Sequence, residues 1–197
     1  MWKRYLSEFC GTFLMVLLGC GSIALGWNSL AVSLTFGFAV FTAIMIFQPI
    51  SGAHINPAVS IAFAANGDLE KEVLPGYIIA QCFGGWLAAV IVVSGATSPA
   101  VGYAHSWGIE IAITLLLMYS IHVLARKEAN LFALALGVGL MVAILAYCFG
   151  GFTGASMNPA RTLGPNIVTG EGNLILYIVA PVIGAVLANF IPEPLDE

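Results

Sequence analysis

Long apolar stretches, separated by short polar or glycine-rich links, dominate the sequence. Six of them hold close to the roughly 20 residues that a helix needs to cross a bilayer. They cover residues 6–26, 30–48, 74–94, 107–125, 131–149 and 174–191. Charged residues are nearly absent from these stretches, and acidic residues collect in the links and near the end of the chain. The pattern predicts six transmembrane helices.

Two shorter apolar pieces, residues 56–65 and 158–168, lie between the second and third stretches and between the fifth and sixth. At about 1.5 Å of rise per residue, each helix would reach only about halfway across the hydrocarbon layer. Backbone that is not helical is tolerated at that depth only when protein buries it or it lines a wet cavity. We therefore expect two re-entrant half-helices that meet end to end inside the membrane.

The same tripeptide opens both short pieces, as Asn56-Pro57-Ala58 and as Asn158-Pro159-Ala160. Asparagine caps free backbone donors at a helix start, and proline fits the first helical position, where no N–H is needed. The positive ends of both half-helices would then point toward the membrane centre. Each asparagine amide can cap its helix and still offer an N–H to a molecule between them. This arrangement predicts a pore.

An internal duplication supports this arrangement. Seven residues, from Glu8 to the first tripeptide, recur 102 positions later, from Glu110 to the second tripeptide. Each unit holds three spanning helices, an odd number, so the second copy must be inserted upside down. We expect an all-α membrane protein with six transmembrane helices and two re-entrant half-helices. Residues 1–197 would form a single channel domain of two inverted repeats, about 1–102 and 103–197.

Composition and charge agree with a membrane protein. The chain is 60% hydrophobic and 8% charged, whereas about a quarter of a soluble domain is charged. Basic residues fall in links that would share one side, which predicts cytoplasmic N- and C-termini. These residues are Lys3, Arg4, Lys71, Arg126 and Lys127. Glu8 interrupts the first apolar run, which favours a mature helix over a signal peptide. No basic patch suggests a nucleic-acid partner.

Three charged residues are predicted inside the membrane, where charge is costly. Arg161 directly follows the second tripeptide, and we expect it to line a wet constriction and repel cations; snorkelling to an interface is the alternative. Its repeat mate is Val59. Glu8 and Glu110 should each accept backbone N–H groups of one half-helix link, although a proton relay is the competing interpretation. His54 either ties down the first link or is a packing residue.

Other functional classes lack the residues that their chemistry needs. The four cysteines show neither CxxC nor Cys/His spacing, so we expect no disulfide, metal site or cofactor. No enzyme motif is present, and we expect no catalytic residues. A coupled transporter needs ion-binding acids at its helix breaks, and a purely adhesive role leaves Arg161 unexplained. A passive channel is the leading hypothesis.

The chain resembles the aquaporins of the major intrinsic protein family over essentially its whole length. Three segments carry the resemblance: residues 8–12, residues 51–59 with the first tripeptide, and residues 154–161 with the second. The resemblance implies six tilted helices plus two half-helices, one pore per subunit and a homotetramer. It is closest in kind to compact prokaryotic-type members, which implies a location in the cell (inner) membrane.

The resemblance also implies a selectivity filter near the outer mouth of the pore. Its positions, counted from the two tripeptides, fall on Phe36, Ala146, Ala155 and Arg161. Water channels of the family usually carry His where this chain has Ala146, so the filter should be wider and lose one hydrogen-bonding wall. We expect passive conduction of water down an osmotic gradient, with protons and ions excluded. The alternative is a broader facilitator of small uncharged solutes such as glycerol, ammonia or metalloid hydroxides.

Three further positions bear on this choice. Thr162 stands where glycerol facilitators typically carry Asp, and Tyr177 keeps an aromatic residue typical of the water branch. Asn166 fits neither branch well. Water is therefore the expected main substrate, and passage of small neutral solutes is the open alternative.

Overall fold

The structure, a computed structural model, describes residues 1–126 and 130–192. Within these ranges the chain forms eight α-helices and no strand. In chain order they are α1 (Trp2–Ala24), α2 (Ser29–Ser51), α3 (Pro57–Asn66), α4 (Leu74–Val92), α5 (Tyr103–Arg126), α6 (Leu131–Thr153), α7 (Pro159–Thr169) and α8 (Leu174–Ala188). Lys127, which was used to predict orientation, and the end of the chain from residue 193 lie outside the described residues.

The observed helices correspond one to one with the predicted segments, so the predicted fold class is confirmed. Five helices are long and apolar enough to cross a membrane. Helix α8 has only 15 residues, but Asn189, Phe190 and Ile191 continue it as turns that hydrogen-bond to carbonyls three residues earlier. The helical path therefore reaches the predicted end at residue 191.

The links into the two half-helices share one unusual backbone path. Gly52 and Gly154, with φ of 87° and 80°, end α2 and α6. Positive φ then recurs at non-glycine residues in both copies, namely Ala53 (48°), Ile55 (44°), Ala155 (41°) and Met157 (52°). L-residues rarely adopt this region, and such strain persists only where the surroundings enforce it. The contacts that hold these links are therefore central to the fold.

Glycine pairs bring the two repeats together at close range. A Cβ built on Gly37 of α2 would lie 2.5 Å from the carbonyl oxygen of Gly139 on α6, and one on Gly139 would lie 2.7 Å from the carbonyl oxygen of Gly37. Within each repeat, Gly84 packs closely against the Phe9 backbone and Gly184 against the Ile111 backbone. Small residues at such crossings let membrane helices approach closely. The helix crossings thus follow the duplication.

The outer surface of the bundle is apolar. Many large hydrophobic side chains are exposed along the spanning helices, including Phe38, Ile79, Ile91 and Leu140. This surface suits lipid, and the helices satisfy their own backbone hydrogen bonds. At one end, Arg4 forms an ion pair with Glu70 (3.1 Å). A backbone hydrogen bond and the Arg4 guanidinium lower the pKa of Glu70.

Candidate functional site

The two asparagines of the repeated tripeptide cap the half-helices from inside the protein. Asn56 Oδ1 accepts a hydrogen bond from the Ala58 N–H (2.9 Å). Asn158 Oδ1 accepts one from the Ala160 N–H (2.9 Å) and a longer one from the Arg161 N–H (3.3 Å). Pro57 and Pro159 occupy the first helical positions. The asparagine and the proline thus begin each half-helix in the same way in both repeats.

Each asparagine amide also binds the link of the opposite repeat. Asn56 Nδ2 donates to the carbonyl oxygen of Met157 (2.8 Å), and Asn158 Nδ2 donates to that of Ile55 (2.9 Å). Asn158 Nδ2 also lies 3.8 Å from the sulfur of Met15. An amide nitrogen carries two hydrogens, so one N–H of Asn56 has no recorded protein acceptor. The two amides thus hold the links of the opposite repeats together, and the Asn56 amide keeps one N–H donor in reserve.

Glu8 anchors the first link from α1. One carboxylate oxygen accepts hydrogen bonds from the Ser51 hydroxyl (2.7 Å) and the His54 N–H (3.0 Å). The other accepts from the Ile55 N–H (2.6 Å) and from Gln81 Nε2 (2.8 Å). The Glu8 side chain is fully buried. Four donors thus converge on a carboxylate that water does not reach, which fixes the strained backbone before Asn56.

Glu110 makes the equivalent contacts in the second repeat. Its carboxylate accepts from the Thr153 hydroxyl (2.7 Å) and from the N–H groups of Ser156 (2.9 Å) and Met157 (3.0 Å). It is also fully buried. No counterpart of Gln81 contacts Glu110, because the repeat-equivalent position is Pro181. Each acid therefore bonds to the link of its own repeat, and Glu8 has one partner that the duplication does not repeat.

His54 bonds to the start of the first half-helix. Its Nδ1 lies 3.1 Å from the Ser60 hydroxyl, which also accepts from Gln81 Nε2 (2.9 Å). The imidazole packs on the ring of Phe63, with centroids 4.7 Å apart. His54 thus has both a polar partner and a packing surface.

One cavity of about 830 Å³ connects the two tripeptides with the predicted filter. Its lining includes Trp27 and Ala96, from the links after α1 and α4, and also Ala125 of α5 and Leu134 of α6. Both tripeptide asparagines line it, as do His54 and all four predicted filter residues: Phe36, Ala146, Ala155 and Arg161. Residues that are distant in the sequence are therefore brought to one continuous space.

Arg161 carries the charge in this cavity. Its Nη1 donates to the carbonyl oxygen of Gly95 (2.6 Å), and its guanidinium carbon lies 4.9 Å from the centroid of the Phe36 ring. The side chain is only 5% exposed. In the part of the chain that the structure describes, the single recorded ion pair is Arg4–Glu70. Arg161 is thus a buried cation held by a neutral carbonyl and an aromatic face.

Several supporting residues were missed by sequence reasoning. Tyr77 and Tyr177 donate their hydroxyls to the carbonyls of Ser51 and Thr153, both at 2.6 Å. Their occurrence as repeat mates was the available signal. The partner of Arg161, Gly95, gave no signal, since a glycine in a short link has many explanations. Among the described residues, no group of three or more His, Cys, Asp or Glu side chains is placed to hold a metal ion.

Comparisons with known proteins support the resemblance. The family model described as major intrinsic protein matches residues 1–191. A glycerol uptake facilitator protein-like 6 from Lactiplantibacillus plantarum is 35% identical, with 95% of each chain covered. A probable aquaporin TIP2-2 from Arabidopsis thaliana is 36% identical over 96% of this chain and 85% of the relative. The structure matches that of an aquaglyceroporin from Plasmodium falciparum with a TM-score of 0.90 and 25% identity, covering 96% of this chain and 94% of that chain.

These matches cover nearly the whole chain, and the relatives carry the names of channels and facilitators, not of enzymes. The sequence-based resemblance is thereby confirmed. The chain belongs to the major intrinsic protein family, and it is an integral membrane protein with the aquaporin fold.

Proposed function

We propose that the protein is a passive channel that conducts water down an osmotic gradient and excludes protons and ions. The observation that carries this proposal is that both tripeptide asparagines and Arg161 line one cavity. No catalytic residue is assigned, and the path needs no cofactor.

The two asparagines would orient water at the centre of the path. A water molecule between Asn56 and Asn158 would accept hydrogen bonds through its oxygen, so its hydrogens point away and a proton wire is interrupted. The N-termini of α3 and α7 add positive potential at the same place, which raises the cost for cations and hydronium. In this proposal the tripeptides Asn56-Pro57-Ala58 and Asn158-Pro159-Ala160 form the central barrier.

Arg161 would act at the outer constriction together with Phe36. Its charge lacks a recorded carboxylate partner in the described ranges, so it presents positive potential to whatever enters. The guanidinium has five N–H donors, and one recorded bond goes to Gly95. The others are available to a passing neutral molecule. Cation exclusion follows from the same charge.

Glu8 and Glu110 would support conduction indirectly, by holding the links that carry the Ile55 and Met157 carbonyls. Those carbonyls are the acceptors for the two asparagine amides. We assign His54 the same supporting role through Ser60. The hydrogen bonds of both acids to backbone N–H groups favour this role over proton relay.

A second candidate is a facilitator of small uncharged solutes, such as glycerol, ammonia or metalloid hydroxides. The specific observation is that Ala146 and Ala155, both small and apolar, line the cavity that Phe36 and Arg161 also line. A filter lined by alanine side chains is wider than one that contains a histidine. It also lacks the hydrogen bonds that an imidazole would form with a passing molecule. Two similar proteins also bear the names glycerol uptake facilitator and aquaglyceroporin.

We further propose a homotetramer in the cell (inner) membrane with both termini in the cytoplasm. The Arg4–Glu70 ion pair places the N-terminus and the α3–α4 link on one side of the bundle. Lys3, Arg4 and Lys71 would then share that side, as cytoplasmic basic residues do.

Stopped-flow light scattering on proteoliposomes tests the proposal. We expect faster shrinkage in a sucrose gradient than for protein-free liposomes, with no faster decay of an imposed pH gradient. Reswelling in a glycerol gradient separates the two candidates, because only a permeant solute produces it. Water flux equal to that of protein-free liposomes would refute the channel proposal.

A further inference from the structure

The link between α4 and α5, residues 93–102, forms the wall beside Arg161. Ala96 lines the cavity, and the Gly95 carbonyl accepts the Arg161 hydrogen bond (2.6 Å). Val93 and Gly95 have φ of 49° and 88°, so this stretch does not hold its shape through regular secondary structure. Since Gly95 is the recorded polar partner of the Arg161 side chain, whatever fixes this link also fixes the guanidinium.

Asn166 of α7 holds the link through its side-chain amide. Asn166 Nδ2 donates to the Thr97 carbonyl oxygen (2.8 Å), and the Thr97 N–H donates to Asn166 Oδ1 (2.9 Å). We call this pair of hydrogen bonds the amide clamp. Asn166 is 2% exposed and Thr97 is 1% exposed. A buried amide that satisfies both the N–H and the C=O of one residue fixes the orientation of that backbone as well as its position.

Gly172 makes space for the amide clamp, and Thr162 connects the clamp to Arg161. A Cβ on Gly172, which has φ of 80°, would overlap Asn166 Nδ2 and the Thr97 carbonyl. The Thr97 hydroxyl lies 2.7 Å from that of Thr162, the residue after Arg161. The amide clamp therefore joins the two elements that supply the Arg161–Gly95 hydrogen bond. These are α7, which carries Arg161, and the α4–α5 link, which carries Gly95.

We propose that Asn166 is a positioning residue for solute selectivity. The amide clamp fixes Thr97, and thereby the Gly95 carbonyl two residues earlier, which in turn sets where the Arg161 guanidinium lies in the cavity. Without the amide clamp, the link loses its buried anchor and the guanidinium loses its defined acceptor. The constriction then widens toward solutes larger than water. This inference rests on the proposed channel function.

Two substitutions test the inference in proteoliposomes. Asn166→Ala removes both hydrogen bonds, and the nearly isosteric Asn166→Asp keeps the acceptor while removing the amide donor. Asn173→Ala is the matched control, because Asn173 Oδ1 also accepts a backbone hydrogen bond, from the partly buried Leu176 N–H (3.1 Å), as the cap of α8. It lies just beyond the same end of α7, and among the described residues its side chain forms no hydrogen bond with the α4–α5 link. The measurement is the ratio of glycerol to water permeability.

We expect Asn166→Ala to raise the ratio of glycerol to water permeability by about threefold to tenfold. A change of this size follows if the difference between the glycerol and water barriers falls by about one net hydrogen bond. Asn166→Asp should raise it in the same direction, and Asn173→Ala should leave it unchanged. In an Arg161→Val background, Asn166→Ala should change the ratio no further, because the amide clamp acts through Arg161. A purely structural role would instead add an independent effect.

An unchanged or lower ratio in both Asn166 variants would overturn the inference. A parallel loss of water and glycerol flux would also overturn it, as would failure of both variants to fold when Asn173→Ala folds, since Asn166 would then serve folding alone. These outcomes differ from failure of the channel proposal, in which the unaltered protein itself conducts no more water than protein-free liposomes.

Discussion

Replacing Glu110 with alanine should loosen the second half-helix link. The carboxylate accepts hydrogen bonds from the Thr153 hydroxyl and from the backbone N–H groups of Ser156 and Met157. In Glu110→Ala the hydroxyl can rotate toward another acceptor, but the two backbone groups cannot. They sit in a site where Glu110 is fully buried, so water does not replace the lost acceptor.

The expected cost follows from those two backbone groups. An unsatisfied buried donor costs about 1–3 kcal/mol, which gives about 2–6 kcal/mol for two. Removing the carboxylate also removes the cost of burying it, so we expect the lower part of the range, about 2–4 kcal/mol. For a chain of this length, that corresponds to a fall in melting temperature of roughly 5–15 °C.

Circular dichroism of the detergent-solubilised protein measures this fall in melting temperature. Thr114→Val is the matched control, because the Thr114 hydroxyl is also fully buried but donates only to the Glu110 backbone carbonyl in the same helix (2.7 Å). Water permeability should fall too, since the Met157 carbonyl that accepts from Asn56 lies in the loosened link. A Glu110→Ala protein as stable as Thr114→Val and equally permeable would refute this reasoning.

Three further substitutions address charge, width and packing. Arg161→Val should speed the decay of a proton gradient across proteoliposomes while water flux persists, because the buried positive charge is removed; unchanged proton exclusion would exclude Arg161 from the barrier. Ala146→His should lower glycerol flux more than water flux, and an equal loss of both would contradict the placement of Ala146 in the filter. Gly37→Ala should lower the melting temperature by the equivalent of about 1–3 kcal/mol, since its Cβ would meet the Gly139 carbonyl oxygen at 2.5 Å. Gly21→Ala is its control, because a Cβ there meets nothing within 4 Å, and equal effects of the two would count against the close crossing of α2 and α6.

The sequence predicted the fold because its strongest signals were local and doubled. Span length, the capping asparagine and the proline at the first helical position each specify structure within a few residues. Two copies in register then indicated how Asn56 and Asn158 face each other. Helix ends were less well predicted. The second helix was expected to end at residue 48, but it runs through Pro49 to Ser51, whose hydroxyl is held by Glu8.

Apart from the paired tyrosines Tyr77 and Tyr177, the supporting contacts that sequence reasoning missed have no equivalent in the other repeat. Gln81 bonds to Glu8, yet its equivalent is Pro181, so the duplication does not mark it. Asn166 and Thr97 meet across 69 residues of sequence. Neither position carries a charge or a motif that would predict a partner at that distance. The position equivalent to Arg161 also carries a different residue, Val59, but a charge inside an apolar segment was enough to mark Arg161 as a candidate.

In the proposed channel, selectivity would depend on residues that have no equivalent in the other repeat. Near-equivalent hydrogen bonds in the two repeats hold the paired asparagines and the paired acids. A barrier formed by these residues is therefore nearly symmetric between the two halves of the path. The outer constriction has no such equivalence: Val59 is the mate of Arg161, and the Gly95 link that Asn166 holds bonds to only one half-helix. In the proposed channel, changes at the outer constriction that keep the Arg161 charge would adjust which neutral solutes pass and leave proton exclusion intact. We accordingly expect substitutions at Asn166 or Ala146 to alter solute ratios with proton exclusion intact, whereas Asn56→Ala or Asn158→Ala should weaken proton exclusion, measured with a pH-sensitive dye inside the proteoliposomes. Proton leak caused by the outer variants alone would show that one constriction performs both tasks.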